Sequence, residues 1–185
     1  MLTYWPPFDI LRPHAQEFGL QSNTRVFTSV FTKATQTQEQ PGALWTCTYD
    51  YPLLDNSQAQ ALKAFLAKLR GQSNRFWARD FGYGGQVIAG TASASRGGNT
   101  AVLSIGVTVS AGDYISIGEE LKMIVADSAG TTVTVEPPFR EDHTGSTINL
   151  EDPVVRMVLN TDSVKWNTVS PVISSLSFAA TEAFE

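Results

Sequence analysis

Between Gly82 and Gly145 the chain is cut into β-branched runs at 101–105, 114–117, 121–125 and 131–135 by short, glycine-bearing connectors. Runs this short cannot wind through the turns a helix needs to bury a face, but they are the right length for strands. Eleven of the fourteen glycines lie in this stretch, against a single phenylalanine, Phe139, so turns rather than bulk shape it. The connectors 111–113, 118–120 and 128–130 have hairpin length. Even spacing of this kind predicts a small closed β module, entered near Gly82 and left near Asp152. Residues 82–151 are therefore expected to be an inserted, barrel-like unit. Residues 1–81 and 152–185 would form a discontinuous β-sandwich core around it.

The flanking sequence supports that division. Pro6, Pro7 and Pro13 forbid a continuous helix near the start, so 1–24 reads as an irregular arm. A strand is expected over 26–33 and another over 43–49, paired antiparallel across a Pro41-Gly42 turn. One helix follows at 55–70. Asp55 is placed to cap it, with Gln58 three residues on to complete a capping box. Ala59, Leu62, Phe65, Leu66 and Leu69 share one face. Gly71 supplies the left-handed residue that ends it. Residues 75–81 alternate as a further strand, and 154–159, 163–167 and 173–178 as three more. The fold class expected is mostly β: a sandwich or barrel with one packed α-helix, plus the inserted module.

Composition narrows the function. The net charge of −5 gives no basic stripe with which to neutralise phosphates. Lys63, Lys68, Arg70, Arg75 and Arg79 follow a helix and its exit as a solvated face, so no nucleic-acid readout is expected. No apolar run approaches the ~20 residues of a helical membrane span. The first residues lack the charged and apolar regions of a signal peptide. A soluble protein made in a cytoplasm is the expectation.

Chemistry-bearing clusters are sparse. Cys47 alternates with aromatics in Trp45-Thr46-Cys47-Thr48-Tyr49 and reads as a strand-interior thiol. His14 and His143 lack partners at metal-ligand spacing. Glu141-Asp142-His143 reads as a solvated loop. Gly82-Tyr83-Gly84-Gly85 and Gly97-Gly98-Asn99 lack the Lys-Ser/Thr of a phosphate loop. Asp50, Asp55 and Asp80 lie near aromatics, as a sugar-cleaving carboxylate pair would, but Asp55 is better used as a cap and Asp80 beside Arg75 or Arg79. No catalytic set, metal site or cofactor is expected. What remains unexplained is aromatic: Tyr4, Trp5 and Phe8 among prolines, and Phe178 and Phe184 near the end. These five are the candidate interface residues, expected to pack on neighbouring copies or partner proteins.

The order of three segments carries a resemblance. Tyr49-Asp50-Tyr51-Pro52-Leu53-Leu54 leads into Leu62-Lys63-Ala64-Phe65-Leu66-Ala67-Lys68-Leu69-Arg70-Gly71, then Arg75-Phe76-Trp77-Ala78-Arg79-Asp80. This succession resembles bacteriophage tail-tip proteins of the distal-tail and minor-tail kind, as does the close of the chain from Trp166 to Glu185. The likeness spans roughly 24–81 and 154–185. It implies a structural, non-catalytic virion protein at the tail tip, synthesised in the host cytoplasm. Its implied partners are copies of itself in a cyclic ring and the tube, hub, tape-measure and fibre proteins. The alternative is a carbohydrate-binding β-sandwich module with Trp77, Tyr83 and Trp166 as stacking platforms.

Overall fold

The computed structural model describes residues 2–7, 11–170 and 173–184. Before the helix lie β1 (Thr3–Tyr4), β2 (Ala15–Gln21), β3 (Thr24–Thr28), β4 (Thr35–Glu39) and β5 (Leu44–Leu54). The helix α1 (Asn56–Leu69) and a 3-10 turn lead into β6 (Arg75–Ala78). Next come β7 (Thr91–Ala94), β8 (Thr100–Val109), β9 (Tyr114–Ile117), β10 (Glu120–Ile124), β11 (Ser128–Glu136) and β12 (His143–Asn149). The chain finishes with β13 (Val155–Leu159), β14 (Trp166–Ser170) and β15 (Ile173–Glu182). The protein is mostly β, with a closed barrel and, among the described residues, one α-helix, as the patterning implies.

Seven strands form one sheet in the order β1-β6-β13-β15-β5-β2, with β14 added alongside β15. Its alternation is strict. Trp45, Cys47, Tyr49 and Tyr51 on β5 and Leu176, Phe178 and Ala180 on β15 point to one face and are buried. That face is covered at one end by α1, whose Leu62, Phe65, Leu66 and Leu69 each contribute on the order of 1.5–3 kcal/mol by leaving water. At the other end it is covered by the barrel, through Leu121, Tyr114 and Met123. The helix termini are built as the sequence indicates. The Asp55 side chain accepts from the Gln58 N–H, and Gln58 Oε1 accepts from the Asp55 N–H. The left-handed exit begins one residue early, at Arg70 (φ 51°), and continues at Gly71 (φ 63°), where a Cβ would sit 2.5 Å from Asp162.

The barrel closes as β10-β11-β8-β7-β12-β9, all antiparallel where paired. Its interior is its own cluster, including Ile115, Ile117, Val133, Val135, Phe139 and Ile148. Every barrel strand falls between Thr91 and Asn149, and every strand of the large sheet falls outside that span.

Several expectations are corrected. The arm over 1–24 contains two strands: β1 pairs in parallel with β6, and β2 pairs along the whole of 15–21 with β5. Residues 29–33 form a turn between β3 and β4, because Lys33 takes a left-handed φ of 57° and its N–H returns to Ser29 O. The strand over 43–49 pairs with β2 and β15 rather than with 26–33. The strand after the helix stops at Ala78. Of the three connectors read as hairpins, only 118–120 is one, with Gly118 at φ 61°. The 111–113 segment instead crosses from β8 to the non-adjacent β9, and 128–130 is absorbed into β11. The strands β7 and β12 carry mostly small and hydroxyl residues and show little apolar alternation in the sequence.

Candidate functional site

The feature that stands apart from the packed body is a ribbon. The β2–β5 pair runs on beyond Gln21 and Leu44 into β3–β4, joined by Gln40 N–H to Asn23 O at 2.8 Å. β3 and β4 pair only with each other, and every residue of both is exposed. At ~3.4 Å per residue, five residues of strand carry the tip about 17 Å beyond the sheet. The sequence permits this because Thr35-Gln36-Thr37-Gln38-Glu39 is polar on both faces and has nothing to bury. Its partner carries Val26 and Phe27, and the turn carries Val30 and Phe31, the last 97% exposed. An isolated two-stranded hairpin is marginal in water, so an arm of this composition is suited to gaining cover from another molecule.

The second surface is the outer face of the large sheet, reached at one end by the barrel's Glu119, which pairs with Arg156 at 2.8 Å. Register sets its residues side by side: Arg156 beside Trp77, Val158 beside Thr181, Thr181 beside Thr46, Ala179 beside Thr48, Ser177 beside Asp50. It is a face of small and hydroxyl side chains with aromatics at one border. On it lies an open cleft of about 320 Å³ reaching Leu159, Val164 and Phe178.

The candidate interface residues divide. Tyr4 is half-buried, held opposite Phe76 by the β1–β6 pairing and packed on the core. Trp5 is 65% exposed, its ring 5.8 Å from Trp77. Phe184 is exposed at the end of β15, beneath the Arg140 guanidinium. Phe8 lies outside the described residues. Phe178 is corrected: only 7% exposed, it packs its ring on Tyr49, Tyr51 and Phe76 in the core of the large sheet. Among the proposed sugar platforms, Trp77 meets Trp5, Tyr83 meets Tyr114 edge-on, and Trp166 lies under Lys63. Each is thus engaged with a separate neighbour. The exposed apolar residues of the ribbon that the sequence reading does not single out are Val26, Phe27, Val30 and Phe31. The signal for them was the apolar-free strand that follows, which cannot hold a core-facing partner.

Of the Glu141-Asp142-His143 segment, Glu141 and Asp142 are exposed outside the strands, as a solvated loop would be, but His143 is not. His143 opens β12 and is buried, with Nε2 3.1 Å from Glu120 Oε1 and Nδ1 3.1 Å from Ser146 Oγ. His143 and Ser146 reach the same side because a register shift with left-handed Gly145 falls between them. Glu120 also meets Lys122 Nζ at 2.6 Å and accepts from the Arg140 and Glu141 N–H groups. Lys122, 1% exposed, donates to Pro138 O and lies over Phe139. Arg140 reaches Glu182 at 3.4 Å and Ala43 O, while Glu182 accepts from the Trp45 N–H at 3.0 Å. Burial works to raise the Glu120 carboxyl, but Lys122 and the N–H donors outweigh it and hold it below the ordinary range. Burial lowers Lys122 despite Glu120, and raises Glu182 despite Trp45 and Arg140. This network ties the barrel mouth to the end of β15. It is lined by a charged cleft of about 520 Å³.

The remaining groups have structural occupations. Cys47 is buried against Met157, and burial pushes its thiol up to about 12. Asp55 caps α1, Asp80 accepts from Gln16 and the Gly82 N–H, and Arg79 pairs with Asp152. Among the described residues no group of three or more His, Cys, Asp or Glu is placed to hold a metal ion. No described helix is long and apolar enough to cross a membrane. No protein-family model matches the chain, and a search of curated proteins finds no match either.

Proposed function

We propose that the chain is a structural subunit of a bacteriophage tail tip, a distal-tail-like ring protein that joins the tail tube to the hub or fibres. The observation that carries this reading is the β3–β4 arm, a self-paired ribbon that places apolar side chains beyond the body of the chain. A ring subunit needs such an element, because each copy must hold the next through surfaces its own fold leaves open. The ordered likeness over roughly 24–81 and 154–185 supports the same reading. In it the partners are further copies of the chain in a cyclic ring, then tube, hub, tape-measure and fibre proteins. No cofactor, nucleic-acid readout or catalytic step is part of the role, and the site of action is the tip of the assembled virion.

Antibody labelling of intact tails tests it: gold is expected at the tail tip. Gold on the capsid, or none on particles whose mass spectrum contains the chain, would overturn the reading. The half-exposed Trp166 beneath Lys63 favours the second reading, a carbohydrate-binding module, at one point. Binding of the purified protein to a defined glycan, lost in Trp166→Ala, would turn the assignment that way.

A further inference from the structure

Glu182 is the carboxyl at which the barrel mouth meets the large sheet. It ends β15, its side chain is 6% exposed, and three elements converge on it. From β5 the Trp45 N–H donates to one oxygen at 3.0 Å. From the loop between β11 and β12 the Arg140 guanidinium approaches the other at 3.4 Å. From β10, Lys122 and Glu120 act on it through space with opposite signs. Arg140 is a divided partner, since it also donates to Ala43 O and lies against the Phe184 ring. Glu120 is held far better, by Lys122 at 2.6 Å, His143 at 3.1 Å and the Arg140 and Glu141 N–H groups. In the same cleft Arg156 pairs with Glu119 at 2.8 Å, and Arg96, Glu141 and Asp142 are exposed to water. A buried carboxylate with one N–H and a shared guanidinium is poorly compensated, so a proton there is favoured.

We infer that Glu182 is a proton-operated fastener: taking up a proton from water in mild acid, it seats the barrel more firmly on the sheet. When the barrel lifts away, Glu182 gains water and its carboxylate is no longer penalised. The seated state therefore binds the proton more tightly, and lowering the pH favours seating. Burial does raise the seated carboxyl above its ordinary 4.5, despite Trp45, Arg140 and Lys122. Its contribution is full below 4.5 and lost as pH rises through the raised value. Glu120 has the reverse sign. Depressed below its ordinary 4.5, it contributes fully above that value and is lost in stronger acid. Seating is thus firmest near pH 4.5 and loosens towards neutrality.

The Trp45 indole N–H reads the seating directly, since it donates to Leu121 O of β10 at 2.9 Å and the residue is fully buried. Its hydrogen exchange is followed by NMR in the full-length protein from pH 4.5 to neutrality, each rate divided by the intrinsic rate at that pH. The opening constant is expected to rise with pH, by at most about tenfold per unit, as one proton allows. Glu182→Gln, always neutral and of the same shape, should flatten that profile at its low value. A wild-type constant that is flat or falls as pH rises overturns the inference, whether or not the variant folds. So does a slope kept by Glu182→Gln, or one that His143→Gln alone removes, which would give the titration to the histidine. Near neutrality the Trp45 indole should open more often than the amides of α1. Equal constants would mean that only global unfolding frees it, and no local fastener exists.

Discussion

Lys122 is the side chain whose burial most needs a partner. An ammonium at 1% exposure is tolerable only because Glu120, Pro138 O and the Phe139 ring surround it. Glu120→Gln should therefore cost about 3–5 kcal/mol at neutral pH, the usual loss when one member of a buried pair is removed. Adding Lys122→Met should recover much of it, because the uncompensated charge goes too; urea titrations of the single and double variants measure both. The pH dependence has a definite sign. Glu120 is depressed below its ordinary 4.5 in the fold, so its stabilisation is full above that value and lost as pH falls through the depressed one. The gap between wild type and Glu120→Gln should accordingly narrow on acidification below pH 4.5. A gap that widens there would refute the network. Little of this was legible in the sequence: Glu120 and Lys122 are neighbours across one residue, but His143 and Glu182 join them only through barrel closure and the β15 register.

At the scale of elements, the helix was the most readable part, because its cap, its 3.6-residue stripe and Gly71 all act within a few residues of one another. Phe65 packs edge-on to Phe76 beneath α1, so Phe65→Ala should lose about 3–5 kcal/mol in chemical denaturation. The β3–β4 ribbon is hard to read for the opposite reason. Val26, Val30 and Phe31 look like a core-facing strand until one sees that their pairing partner, 35–39, has no apolar side to share. Replacing residues 24–39 with a short Asn-Gly turn should leave the melting temperature within a few degrees, since the arm buries nothing in the chain. Self-association should be lost in the same variant. Differential scanning calorimetry and light scattering give the two readings, and a large drop in melting temperature would mean the arm supports the fold. The strand β2 was hidden by its context: Gln16, Phe18 and Leu20 face the core, but prolines on the approach suggested a segment without pairing.

For the whole molecule, the first barrel strand begins at Thr91, nine residues after the glycine shift at Gly82, and how the barrel is fastened rests on contacts far apart in the sequence. Trp45 Nε1 donates to Leu121 O at 2.9 Å, Ser116 bonds both ways with Val154, and Leu121 belongs to the core of the large sheet. Replacing 84–150 with a Gly-Ser linker should leave a remainder that melts cooperatively but at lower temperature, because Trp45 loses its cover. A non-cooperative melt would mean that barrel and sheet fold as one unit. The central claim is that copies of this chain close into a ring through surfaces the single chain leaves open. Native mass spectrometry of the full-length protein across a concentration series tests that most directly. The account predicts a single closed oligomer of three or more copies growing in as concentration rises, absent when residues 24–39 are replaced. A monomer at every concentration, or an open-ended series of masses unaffected by removing the arm, would contradict it.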